Sequence, residues 1–136
     1  MGKIIAIDYG TKRCGIAETD PLQIIASGLT TVATHELNQF ISDYLSKEKV
    51  DALVIGLPIQ LNNELSEVEN HIRGFIKGIQ KKFPALKIDR VDERFTSKMA
   101  FDAMIQGGLK KQKRRDKALV DKVSATIILQ TYLEGL

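Results

Sequence analysis

The hydrophobic period of this chain changes once, and that change limits the folds open to it. Before residue 34 the apolar residues alternate or run in short stretches, and the connections between them are tight turns. Lys3 to Asp8 reads as a strand, and Arg13 to Thr19 as a second, with Gly10-Thr11-Lys12 as the turn between them. Asp20-Pro21 marks another turn, and Ile24 to Val32 is a third strand rich in β-branched residues. Connections this short allow only antiparallel pairing. After residue 34 the spacing becomes helical. Leu37, Phe40, Ile41, Tyr44 and Leu45 fall on one face of a helix from about Glu36 to Lys49, with Thr34 as its expected N-cap. The stretch "DALVIGLP" is a buried strand stopped by Gly56 and Pro58. Ser66 and Glu69 have capping-box spacing ahead of a second helical stripe, Ile72, Phe75, Ile76, Ile79 and Phe83, which stops before Pro84. Lys87 to Val91 is the fifth strand. A third helix, capped by Thr96 or Ser97, runs to about Gln106 and ends at Gly107-Gly108; Leu119 to Leu133 is the last. Helical crossovers between the later strands require parallel pairing. The expectation is an α/β fold with a five-stranded mixed sheet and helices on both faces.

With 136 residues the chain has the length of one domain, so residues 1–136 are read as a single unit. No apolar run approaches the ~20 residues of a membrane span. No leader pattern precedes the first strand, so no membrane partner and a cytoplasmic location are expected. The one cysteine, Cys14, lies in an apolar run and reads as a buried, inert thiol. The net charge is +3, but it is unevenly placed. "KKQKRRDK", from Lys110 to Lys117, holds six cations and one anion, so the rest of the chain is slightly acidic. A loop carrying Lys110, Lys111, Lys113, Arg114 and Arg115 is suited to phosphates, and its other reading is a solvated surface loop.

Three acids stand where ligands bind in α/β sheets. Asp8 ends the first strand, Glu93 follows the fifth, and Asp121 is in the first turns of the last helix. Converged carboxylates repel by roughly 3 kcal/mol per pair at ~5 Å and an effective dielectric of ~20. A hard cation removes that cost. An all-oxygen donor set suits Mg2+ or Mn2+, and two such ions can serve phosphodiester hydrolysis. Asp8, Glu93 and Asp121 are thus the expected metal ligands and catalytic residues. Lys12, Arg13 and Arg94 are the expected phosphate contacts. Asp92 competes with Glu93, because alternation sends the two to opposite faces and the sequence does not say which face is inward. His35 and His71 are isolated and read as structural or surface residues.

Four motifs, "IAIDYGTKRCGIA", "ALVIGLPIQLNN", "VDERFTS" and "DKVSATIILQTYL", occur in an order and spacing that resembles the YqgF family, also called RuvX. The resemblance spans nearly the whole chain. It implies an RNase H-like fold with strand order 3-2-1-4-5. It also implies a nuclease that matures the 5′ end of precursor 16S ribosomal RNA or resolves Holliday junctions. Matched motif by motif, Asp8, Glu93 and Asp121 fall on the family's acids, which favours Glu93 over Asp92. Gly56, Pro58, Arg94 and Thr96 then line the site. The sequence departs from the family pattern at Asn62-Asn63-Glu64 and at Ser124, neither of which touches the acids.

Two other function classes fit parts of the chain. "DYGTKRCGIA" also suits the phosphate hairpin of actin-like ATP-binding proteins, but those need two lobes and this chain has length for one. The basic loop alone would serve a non-catalytic nucleic-acid-binding factor in ribosome assembly or transcription. RNA or DNA as partner, a role on precursor ribosomal particles, and a monomer or a homodimer all remain open at this level.

Overall fold

The computed structural model describes residues 2–58, 67–92 and 117–135. Strands β1 (Lys3–Asp8), β2 (Arg13–Thr19) and β3 (Ala26–Ala33) come first. A 3-10 turn (Thr34–Glu36) leads into α1 (Leu37–Lys47). Then come β4 (Val50–Leu57), α2 (Val68–Lys82), β5 (Lys87–Asp92) and the C-terminal helix, labelled α3 (Lys117–Glu134). The strands form one five-stranded sheet in the order β3-β2-β1-β4-β5. The β1–β2 and β2–β3 pairs are antiparallel, and the β1–β4 and β4–β5 pairs are parallel. The mixed sheet read from the change of period is therefore present, in the order the family resemblance implies.

Strand alternation divides the core into two layers of different grain. Ile5, Ile7, Cys14, Ile16, Leu53 and Ile55 point to the face covered by α1 and α2, where they meet Leu37, Ile41, Ile72, Phe75 and Ile79. Ile4, Ala6, Ala17, Ala52 and Val54 point to the other face and meet Ala125, Ile128 and Leu129 of α3. Burying a large aliphatic side chain contributes about 1.5–3 kcal/mol, so the first layer supplies most of the stabilisation. The second layer mixes alanines on the sheet and on the helix (Ala6, Ala17, Ala52, Ala125) with larger aliphatic residues. Its consequence is distance: α3 lies close to the strands.

Three local expectations fall differently. Thr34 does not cap α1. Its Oγ1 donates to the Gly10 carbonyl at 2.7 Å, tying the end of β3 to the β1–β2 turn, and the chain enters α1 through the 3-10 turn instead. The third strand begins at Ala26, not Ile24. The Ile24 and Ile25 amides bond Asp20 Oδ1 at 2.9 and 2.8 Å and so are taken from the ladder. Gln23, at a φ of 59°, reaches back to the Gly2 carbonyl and to Asp51. Glu69, offered for a capping box with Ser66, turns inward to an arginine of β5. Ser66, the proposed third helix and the basic loop lie outside the described residues. No helix among the described residues is long and apolar enough to cross a membrane.

Candidate functional site

Asp8 belongs to the α3 face. Ile4 and Ala6 pack under α3, and Asp8 is the next residue in that alternation, at the C-terminal end of β1. On β2 the same face carries Arg13, Gly15 and Ala17. Asp8 is paired directly with Gly15 across the β1–β2 ladder.

Gly15 is where α3 touches the sheet. A Cβ built on Gly15 would strike the Asp121 carbonyl oxygen and come within 2.8 Å of the Lys122 amide nitrogen. Only a residue without a side chain lets the helix backbone down at this point. Ser124 and Ala125, both buried, keep the following turn close. Since Asp8 and Gly15 are cross-strand partners, about 5 Å apart at Cα, the helix is seated beside Asp8 at Asp121 itself. Both carboxylates act on Cys14: burial pushes its thiol up, and the charges of Asp8 and Asp121 add to that rise. Cys14 is fully buried, with Thr34 and the Gly10 carbonyl as partners, which is the inert thiol expected.

Arg13 closes the group. Its Nε is 2.7 Å from Asp121 Oδ2, and the side chains are 33% and 23% exposed. The two atoms are themselves sealed from solvent, and the N–H lies off the line to the oxygen. The contact is thus one of charge more than an aligned hydrogen bond. Lys12, beside it on the β1–β2 turn, is exposed. The sequence offered both cations as phosphate contacts; Arg13 is here committed to an acid.

A second ion pair fixes the neighbouring strand ends. Glu69 of α2, only 3% exposed, receives Arg90 of β5 at 2.6 and 2.9 Å. Arg90 also donates to the Ile55 and Gly56 carbonyls at 3.2 and 2.9 Å. The Arg90 guanidinium holds the Glu69 carboxyl below the usual carboxylate range, with Arg73 adding to the effect. This clamp joins the last turn of β4, where Gly56 is buried and Pro58 follows, to β5. It also orients β5. Ile88 and Arg90 face α1 and α2, while Val91 packs under α3 and Asp89 accepts a bond from Tyr132 of that helix. By the same alternation Asp92 lies on the α2 face, opposite Asp8.

Glu93, Arg94, Thr96, Lys110, Lys111, Lys113, Arg114 and Arg115 lie outside the described residues. Among the described residues no three His, Cys, Asp or Glu side chains gather as a metal cluster. The donor set that is described, two carboxylates sharing one face and one of them already holding a cation, fits a hard divalent ion. Sequence reasoning missed Gly15, Glu69 and Arg90. A glycine inside a strand run and a charged residue inside the fifth strand were the available signals.

Comparison with known proteins places this arrangement. The family model described as "RuvX: Holliday junction resolvase" matches residues 2–135. A protein of Christiangramia forsetii named "Putative pre-16S rRNA nuclease" is 59% identical over 133 residues, 98% of each chain. A protein of Bacteroides thetaiotaomicron with the same name is 58% identical over 135 residues, 99% of this chain and 98% of the other. Among solved structures, "T. thermophilus RuvC in complex with Holliday junction substrate" aligns with a TM-score of 0.58 over 98% of this chain and 96% of that one, at 15% identity. That likeness shows the RNase H-like fold.

Proposed function

The chain belongs to the RuvX family, and from that premise we propose that it is a metal-dependent endonuclease for structured nucleic acid, acting at the 5′ end of precursor 16S ribosomal RNA. The observation that carries the reading is the seat of α3 on Gly15, which brings Asp121 to Asp8 at the end of β1. Full-length relatives named as pre-16S rRNA nucleases support RNA as the substrate. Glu93 is the third ligand in this proposal. The match of Glu93 to the family's acid supports that choice, as does the position of Asp92 on the face opposite Asp8.

Bound Mg2+ or Mn2+, in a two-metal arrangement, would supply a water activated for attack and charge neutralisation at the scissile phosphate. Asp8, Glu93 and Asp121 would hold it through carboxylate oxygens. Lys12, exposed at the rim, and Arg94, Thr96 and the cations of Lys110–Arg115 bind the flanking phosphates. In this reading the protein acts in the cytoplasm, with nascent ribosomal particles as its partners.

The description of the family model favours a second reading, a Holliday junction resolvase cutting branched DNA as a homodimer. A panel decides between them: 5′-extended 16S RNA, a four-way DNA junction and a linear duplex, each with Mg2+, with Mn2+ and with EDTA. Cutting of the RNA at its 5′ extension, stopped by EDTA, is the expected result. Cutting of the junction alone makes the protein a resolvase. Binding without cutting at any metal concentration makes it a non-catalytic factor.

A further inference from the structure

We propose that Arg13 is a displaceable counter-ion of Asp121: it holds the carboxylate while the site is without metal and leaves it when the divalent cation arrives. The released guanidinium is then offered to a substrate phosphate. This rests on the metal-dependent reading above and adds to it a coupling between metal loading and phosphate binding.

Four observations carry it. The Arg13 Nε sits 2.7 Å from Asp121 Oδ2, so it fills space beside the oxygen a metal would take. A divalent cation on the same carboxylate repels the guanidinium and so weakens its contact with Asp121. The contact lacks an aligned hydrogen bond, because the N–H is off the line to its acceptor, so charge alone holds it. The guanidinium also has somewhere to go, since the Arg13 side chain is one-third exposed and its neighbours Thr11 and Lys12 face solvent.

The movement belongs to the side chain alone. The Lys12 carbonyl accepts the Thr34 amide at 3.0 Å, the Gly10 carbonyl accepts the Thr34 hydroxyl at 2.7 Å, and Arg13 is paired with Ala33 in the β2–β3 ladder. With the backbone so pinned, a long arginine rotates about its own χ angles over a fixed Cα. A guanidinium freed beside the reacting centre is the side chain best shaped for a phosphate, which it binds through two parallel N–H donors. Because linkage is reciprocal, a metal that releases Arg13 strengthens phosphate binding, and a bound phosphate that retains Arg13 strengthens metal binding by the same factor.

The test reads Arg13 directly. The Nε–Hε resonance of Arg13 is followed by 15N NMR in the intact chain, assigned by its loss in Arg13→Gln, while Mg2+ alone is added. Mn2+ affinity of both proteins is measured from the EPR signal of the free ion. Expected are a shift of the wild-type resonance on Mg2+ addition toward the position it holds in metal-free Asp121→Asn, and Mn2+ binding about fivefold tighter in Arg13→Gln, the scale of a partly exposed ion pair. Mn2+ binding by Arg13→Gln alone would carry the same meaning in stronger form. A resonance that stays in place while Mn2+ binds overturns the proposal and leaves the metal reading standing, as does equal affinity in the two proteins. Absence of binding in both proteins overturns the metal reading and this proposal with it.

Discussion

Replacing Gly15 by alanine adds one methyl group at the point where α3 meets the sheet. The added Cβ would collide with the Asp121 carbonyl oxygen and lie 2.8 Å from the Lys122 nitrogen. Both are backbone atoms, so no side-chain rotation relieves the overlap. The helix must back off by about 1.5 Å to restore ordinary contact distances. Ala125, Ile128 and Leu129, all fully buried on this face, then lose part of their packing. Overpacking against backbone that cannot turn aside falls in the upper part of the usual range, about 2–3 kcal/mol. The lower chain entropy of alanine when unfolded offsets up to ~1 kcal/mol of that. For a domain of this size the net change lowers Tm by roughly 3–10 °C. Two other glycines set the scale in the same thermal melts, followed by circular dichroism. Gly28→Ala meets the Lys122 side chain at 2.7 Å, which can turn aside, so its loss should be smaller than that of Gly15→Ala. Gly74→Ala, on an exposed position of α2, meets nothing within 4 Å and should gain up to ~1 kcal/mol from helix propensity. A Gly15→Ala protein melting within 1 °C or so of wild type, or above Gly28→Ala, would refute the close seat of α3.

Three further outcomes follow from the ion pairs and hydrogen bonds. Glu69→Gln leaves the Arg90 guanidinium without its carboxylate and should cost about 2–3 kcal/mol, below the fully buried range because Arg90 is 22% exposed. Glu69 titrates below its ordinary value of 4.5 in the folded protein, so its contribution is present at neutral pH and lost as the pH falls below that value; the gap between wild type and variant in urea titrations should close there, and a gap independent of pH would contradict the pairing. Tyr132→Phe removes the bond to Asp89 that pins α3 to β5 and should cost about 1 kcal/mol in the same titrations. Alanine at Lys110, Lys111, Lys113, Arg114 and Arg115 should flatten the dependence of log K on log salt, on single-stranded RNA, by about 0.7 for each phosphate these cations neutralise; an unchanged slope would return them to a solubility role.

The sheet was legible because period and turn chemistry agree along the chain. A hairpin joined by Gly10-Thr11-Lys12 can pair only antiparallel, and strands separated by helices can pair only parallel. Asp8 was legible for a similar reason, as a carboxylate ending a buried run. What the sequence did not disclose is mostly which long-range partner takes each polar group. Thr34 looks like a cap, but its hydroxyl donates to the Gly10 carbonyl, and the helix starts beyond a 3-10 turn. Glu69 has capping-box spacing, yet an arginine 21 residues away offers a charge-assisted bond that a backbone amide cannot match. Ile24 and Ile25 have strand propensity, but Asp20 takes their amides first. Arg13 reads as a free cation until α3 is laid across Gly15 and delivers Asp121 to it. Between Asp92 and Glu93 alternation alone was silent and only the family resemblance favoured Glu93; the pairing of Arg90 with Glu69 shows which face of β5 Asp92 takes.

The most direct test of the convergence of Asp8 and Asp121 into one catalytic centre is the single-turnover cleavage rate of Asp8→Asn and Asp121→Asn beside wild type, on whichever substrate of the panel is cut, at saturating Mg2+. Each amide keeps the size of the side chain and removes its charge, so both variants should fold with nearly unchanged melting profiles. Each should lose at least about a hundredfold in rate, and the double variant should be little worse than either single one, as for groups that act as a unit. Cleavage at the wild-type rate by either folded variant would contradict the account.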